Sequence, residues 1–264
     1  TDPIHVRFKG VGLSYSDTPE RHHPILRDIS FDIEPGEKVA LIGSSGAGKT
    51  SIMKLLLRYM DPTAGEIRVN GSALREVALS SWMERVGYIP QQPQVFDGTI
   101  RYNLTFGLSA EREATITDEE IWEVMRELQI DFGERLTLGL DTLVGKDGVM
   151  LSGGQAQRLM IGAAVIKRPI FMVIDEATSS LDSSTERLVQ QGLERVLAGP
   201  VGAIIVAHRL STVRTICNRF IILKPLEEVG SGESQIEADA RSFEELYALS
   251  STFRRLADDQ HLAI

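Results

Sequence analysis

Two short stretches combine residue types and spacings suited to phosphate chemistry. In "GSSGAGKT", residues 43–50, Gly43 and Gly48 stand five apart and are followed by Lys49 and Thr50, the pattern of a phosphate-binding loop. Gly43, Gly46 and Gly48 allow a tight turn, in which the backbone of Ser44, Ser45 and Ala47 also points inward at phosphate oxygens. Lys49 is expected on the β- and γ-phosphates and the Thr50 hydroxyl on Mg²⁺. Ser51 is counted with the same set, although its place inside the following helix makes it largely structural. In "FMVIDEATSSLD" a buried-strand run ends in Asp175 and Glu176. Asp175 is suited to the Mg²⁺ shell, acting through water, and Glu176 to polarising an attacking water as general base.

Two further positions belong to the same edge. "AIIVAHRLS" ends an apolar strand with His208. A histidine there is ordinarily a hydrogen-bonding structural residue, but its place beside the other strand ends brings it within range of the phosphates. In "YIPQQPQVF", Gln91 ends a strand and is expected to sense the nucleotide or its metal, with Gln92 and Gln94 as competitors. Pro90 and Pro93 make this segment a loop. Finally, "LSGGQAQR" places Ser152, Gly153, Gly154 and Gln155 just ahead of a helical run. Two adjacent glycines behind a serine imply that something approaches that backbone closely. Read as a plain helix-capping turn, the segment leaves Gln155 without a role.

The elements that must hold these residues can be read from periodicity. "IHVRF" within residues 4–13 and "ILRDISFDI" within 25–33 read as strands, the second alternating like an antiparallel one. "KVALIG" is a buried-strand run that leads through the glycine loop into the helical "KTSIMKLLLRYM". "DPTAGEIRVNG" reads as turn, strand and turn. Residues 103–138 have helical spacing, with Thr117 and Glu120 at capping-box distance. "IFMVID" and "GAIIVAH", separated by a helical segment, continue the alternation of a parallel α/β sheet. Residues 227–242 read as a polar, acidic loop. The expected fold is therefore an α/β core interrupted by a helical insertion.

Composition narrows the class. With 264 residues, 42% hydrophobic and 25% charged, the chain can bury a sizeable core. Its longest apolar runs fall far short of a membrane span, and no signal peptide opens it. The single cysteine, Cys217, excludes an internal disulfide and reads as structural. A net charge of −9 argues against nucleic acid as a partner, since phosphate-backbone binding needs a basic stripe.

With "GSSGAGKT", "YIPQ", "LSGGQ", "VIDEATSSLD" and "AHRLS" read in that order, the chain resembles the nucleotide-binding domain of an ATP-binding cassette (ABC) protein across residues 4–223. The resemblance implies a P-loop NTPase (RecA-like) core with an antiparallel β subdomain and an inserted α-helical subdomain. The core is assigned to residues 1–91 and 161–230, the helical subdomain to 92–160, and a C-terminal extension to 231–264. It implies ATP and Mg²⁺ as cofactors, with Thr50, Gln91 and Asp175 on the metal. Glu176, His208, Lys49 and Gln91 form the catalytic set, and Tyr15 stacks on adenine. Ser152, Gly153, Gly154 and Gln155 would contact ATP held by the phosphate loop of a second, head-to-tail domain, identical or different, with Asp182 in the loop that crosses to it.

"VFDGTIRYNL", residues 95–104, and the final "SFEELYALSSTFRRLADDQ" resemble exporter-type cassettes. The resemblance implies the motor of a membrane exporter, at the cytoplasmic face of a membrane. Its transmembrane domains are expected in the same polypeptide, an expectation with which the start at "TDPIHVRF" is consistent. A soluble ABC ATPase acting on DNA or ribosomes is the alternative, and it normally has coiled-coil arms or basic surfaces that are absent here. The chain departs from the exporter pattern at Lys146, usually acidic, at Ala163, usually arginine, and at Asn218, usually aspartate. Residues 227–242 have no clear counterpart and read as a loop insertion.

Overall fold

A computed structural model describes residues 3–18, 21–176, 183–206 and 209–264. Strands β1 (Val6–Thr18) and β2 (Arg21–Ile33) lead to β3 (Lys38–Gly43), the phosphate loop and α1 (Lys49–Leu56). Next come β4 (Ala64–Val69), β5 (Ser72–Ala73), α2 (Leu79–Arg85) and β6 (Val86–Ile89). A helical lobe follows, with β7 (Gly98–Thr99), α3 (Ile100–Thr105), α4 (Ala110–Thr115), α5 (Asp118–Glu127) and β8 (Leu143–Val144). The chain then runs through α6 (Gly153–Lys167), β9 (Phe171–Asp175), α7 (Ser183–Val196), β10 (Gly202–Val206), α8 (Leu210–Ile216) and β11 (Arg219–Leu223). It ends with β12 (Ile236–Ala240), α9 (Phe243–Leu249) and α10 (Ser251–Asp259).

The central sheet has the order β12-β11-β3-β10-β9-β6, parallel except for β12. Its strands are short apolar runs because both faces are covered. Val39, Leu41, Val173, Ile204 and Ile221 point into one core with Ile52 and Leu56 of α1 and the inner face of the β1-β2-β4 sheet. Their neighbours Ala40, Ile42, Met172, Ile205 and Ile222 point into a second core shared with α6, α7, the helical lobe and Phe243 and Phe253 of the final helices. Trp82 closes the first core, its indole N–H donating to the Leu56 carbonyl at 2.7 Å.

The structure departs from the sequence reading in four places. Strand β1 continues past Leu13 to Thr18, because register shifts beyond Phe8 break the alternation that marks a regular strand. The helical spacing of the insertion gives α-helix only as far as Glu127; beyond it the chain turns at Gly133 and Gly139, both with positive φ. Residues 227–242 are not simply a loop. In β12, Ala238 and Ala240 pack into the second core and Ile236, across a register shift, against the first, and the strand adds an antiparallel edge beside β11. At α5, Thr117 accepts the Glu120 N–H as expected, but the Glu120 carboxylate binds Arg112 and Arg168.

Candidate nucleotide site

The phosphate loop leaves the C-terminal end of β3. Gly43 passes so close to β11 that a Cβ there would lie 2.7 Å from the Leu223 carbonyl oxygen. At the other end Gly48, with φ of 91°, is the N-cap of α1, and a Cβ on it would meet Leu26 at 2.5 Å. Only glycine suits both the conformation and the space. Between them Ala47 is fully buried, while Ser45, Gly46 and Gly48 border a cavity of about 490 Å³. Lys49, Thr50 and Ser51 line the same cavity from the first turn of α1.

Lys49 folds back over the loop, its Nζ donating to the carbonyls of Gly43 at 2.6 Å and Ser44 at 2.8 Å. Burial lowers its pKa below the ordinary lysine value, against the opposing pull of Glu176 and Asp175. The Ser44 hydroxyl is buried with no hydrogen-bond partner. A glycine loop carrying a partly buried cation and an unsatisfied hydroxyl fits a phosphate group.

The sheet order sets the opposite wall. Because β6 and β10 flank β9, the Gln91 loop lies beside Asp175 and Glu176. Gln91 Nε2 donates to Glu176 Oε2 at 2.5 Å, and both residues line the cavity. Glu176 is held in the left-handed region, with φ of 44°, its N–H donating to the Val206 carbonyl at 2.7 Å. Such a conformation is costly for a residue other than glycine and here aims the carboxylate. Asp175 is buried at the strand end, close enough to Lys49 to act on its charge. His208 and Asp182 lie outside the described residues.

Tyr15 does not border the cavity. It is 44% exposed on β1, its hydroxyl 3.5 Å from the Met60 sulfur. Ile25 of β2 does border it and was not picked out by the sequence, since an inward isoleucine of an alternating strand looks like core.

Ser152, Gly153, Gly154 and Gln155 form a separate feature at the start of α6. Ser152 is the N-cap: its hydroxyl accepts the Gln155 N–H at 3.2 Å, and Gln155 Oε1 accepts the Ser152 N–H at 3.0 Å. This full capping box corrects the sequence reading, in which a capping turn left Gln155 idle. Arg135 braces the same corner, donating to the Met150 carbonyl at 3.2 Å and Gln155 Oε1 at 3.3 Å. No spacing in the sequence marks Arg135. The two glycines differ. A Cβ on Gly154 would lie 2.1 Å from Thr185 Cγ2, whereas one on Gly153 would meet nothing within 4 Å. Packing within the chain explains Gly154 but not the exposed Gly153.

A second, apolar groove of about 450 Å³ lies between α2, β6, α6 and the helical lobe. Met83, Phe96, Phe106, Met160 and Ala163 line it, with Lys167 at its rim donating to the Met83 carbonyl at 2.7 Å. Phe96, Tyr102 and Phe106 form an exposed aromatic cluster beside it. Of the other departures, Asn218 exchanges hydrogen bonds with the Lys38 backbone, and the Lys146 N–H donates to Asp97.

A parallel sheet whose C-terminal edge carries a phosphate loop, a paired carboxylate and amide, and a buried aspartate defines a P-loop nucleotide-binding domain. The sequence profile described as ABC transporter matches residues 26–179, and the chain belongs to that family. The chain is 39% identical over 224 residues to a multidrug resistance ABC transporter ATP-binding and permease protein of Lactococcus lactis subsp. cremoris, covering 84% of this chain and 36% of that protein. It is 38% identical over 253 residues to an ATP-dependent lipid A-core flippase of Thiobacillus denitrificans, covering 94% and 42%. A bacterial Atm1-family ABC exporter with ATP bound superposes with a TM-score of 0.81 at 30% identity, covering 99% of this chain and 43% of that one. The chain thus spans well under half the length of these relatives. It belongs with the ATP-binding regions of these exporter-type relatives, and this kinship favours the exporter reading over the soluble alternative.

Proposed function

We propose that this domain hydrolyses ATP in a head-to-tail pair with a second ABC domain, identical or homologous, and so drives the membrane part of an exporter. One observation carries the pairing. The cavity that holds Lys49, Thr50, Gln91 and Glu176 includes no signature residue of this chain, while Gly153 lies exposed at an α6 terminus that has room for an anion from outside. Ser152 strengthens the reading: its oxygen accepts the cap bond, which leaves its proton to donate to a partner's nucleotide.

Within one site, the loop amides of residues 43–48 and Lys49 hold the phosphates, with Ser51 beside them. Tyr15 offers a ring to adenine from the neighbouring strand. Thr50, Asp175 and Gln91 are oxygen donors suited to Mg²⁺, which keeps water in its shell and supplies charge neutralisation. Glu176 takes the proton of the attacking water, Gln91 orients it, and His208 contacts the γ-phosphate. The domain works at the cytoplasmic face of a membrane. The apolar groove at Phe96, Phe106 and Met160 receives a segment of the transmembrane part, in keeping with relatives that join an ATP-binding and a permease region.

Light scattering of a Glu176→Gln variant with ATP and Mg²⁺ tests this reading. An ATP-dependent dimer that is lost with Ser152→Arg supports it; a protein that binds ATP and stays monomeric at all concentrations overturns an identical partner. Failure to bind ATP overturns the reading altogether.

A further inference from the structure

Residues 227–242, taken from the sequence as a loop insertion, place one polar side chain deep in the molecule. Gln235 is fully buried, just before β12. Its side chain makes three bonds to three separate segments. Oε1 accepts the Arg27 N–H of β2 at 3.0 Å, and Nε2 donates to the Lys224 carbonyl, after β11, at 3.1 Å. The third bond runs from Nε2 to the carbonyl of Ala47, in the phosphate loop, at 2.8 Å. The Gln235 backbone adds two more, accepting the Lys224 N–H and donating to the Arg27 carbonyl. A side chain so placed cannot rotate without stranding buried polar groups on three segments.

The Ala47 bond acts on the nucleotide site through peptide geometry. The Ala47–Gly48 peptide is planar and trans, as no cis bond occurs among the described residues, so its N–H points opposite to its carbonyl. Fixing the Ala47 carbonyl toward Gln235 therefore turns the Gly48 N–H away from Gln235. Gly48 borders the phosphate cavity, and neither Ala47 nor Gln235 does. Gly48 is also the N-cap of α1 and has no side chain to hold its own orientation. Lys49, the next residue, spends its amine on Gly43 and Ser44 and leaves the Ala47 carbonyl to Gln235.

We propose that Gln235 is a positioning residue of the ATP site, which fixes the Ala47–Gly48 peptide so that the Gly48 amide is presented to the phosphates. The proposal rests on the phosphate cavity being the ATP site, as argued above. It gives residues 227–242 a part in nucleotide binding, through β12 and the β2 hairpin, that their polar composition does not suggest.

The test is a titration of the 264-residue chain with ATP and with ADP in the presence of Mg²⁺, alongside the melting temperature. Gln235→Met keeps the volume and removes all three side-chain bonds. Gln235→Glu keeps the acceptor for Arg27 and removes the donor for Ala47. Ser250→Ala is the control, since it deletes the buried cap of α10 without touching the phosphate loop. Both Gln235 variants are expected to bind ATP and ADP about tenfold more weakly, the equivalent of one oriented hydrogen bond. Ser250→Ala is expected to bind as wild type even where its melting temperature falls as far. Folded Gln235 variants with wild-type affinity overturn the proposal, and so does loss of folding by both, which would make the residue purely structural. A wild-type chain that binds neither nucleotide instead overturns the reading of the cavity.

Discussion

The Gln91–Glu176 pair joins two strand ends, and it is the contact on which the proposed hydrolysis turns. Among the described residues that line the cavity, Glu176 is the one group suited to take a proton from water, and its backbone is held in an unfavourable conformation to aim it. Glu176→Gln is expected to slow phosphate release by about 10²-fold or more, the usual contribution of a general base, with ATP affinity retained. Gln91→Glu would set a second carboxylate against Glu176. Two carboxylates in contact share a proton, so the acidic limb of the rate profile should move to higher pH; an unmoved limb would remove Gln91 from the site. Cys217 is a contrasting case. Burial pushes its thiol up to about 12, which keeps it protonated and inert.

Helix α6 sets a glycine packed inside the fold next to one left open to the proposed partner. Gly154 sits where Thr185 leaves no space, so Gly154→Ala is expected to destabilise the domain by about 1–3 kcal/mol in urea denaturation, as overpacking does. Gly153→Ala fills open space at the first turn and should be neutral or stabilising by up to about 1 kcal/mol, since alanine is the better helix former. It should nevertheless weaken the ATP-dependent dimer; equal dimerisation would mean that nothing approaches that face. Helix α10 has a different anchor, the Glu237 carboxylate, which accepts both the N–H and the hydroxyl of Ser251 and the Thr252 N–H. Burial pushes the Glu237 carboxyl up, but these hydrogen bonds outweigh it and hold the pKa below the ordinary 4.5. A lowered pKa means stability that is present above the ordinary value and lost as pH falls through the folded one. The melting-temperature gap between wild type and Glu237→Gln should therefore narrow below about pH 4.5; a gap that stays constant into that range would rule the anchor out.

The whole molecule is a sheet between two cores, and its functional surfaces lie where those layers end. The phosphate cavity opens at the C-terminal edge of the parallel strands, where loops from β3, β6 and β9 converge. The groove at Phe96, Phe106 and Met160 lies between the sheet layer and the helical lobe, and is the surface proposed above to receive the membrane part. Phe106→Glu is expected to leave ATP binding by this chain unchanged and to reduce the ATPase activity of a full-length transporter. Full-length activity equal to wild type would dissociate the groove from the membrane part.

Local sequence was enough wherever a feature of the candidate site is set by neighbouring residues. The phosphate loop, the Asp175–Glu176 strand end, Gln91 and the Ser152 cap depend on glycine conformations, strand ends and short spacings, all of which are written within a few residues. The buried runs of the central sheet were legible for the same reason, because a strand covered on both faces has to be continuously apolar. Tertiary structure decided what depends on partners distant in the chain. Thr185 distinguishes Gly154 from Gly153, Arg135 braces Gln155, and Gln235 reaches Ala47 across 188 positions. Strand β12 escaped notice because two alanines and an isoleucine are too weak an apolar pattern until β11 gives them a partner. Spacing records a contact when the chain bends back on itself locally; a contact made by packing leaves only a residue type, and a glutamine or an arginine has many uses.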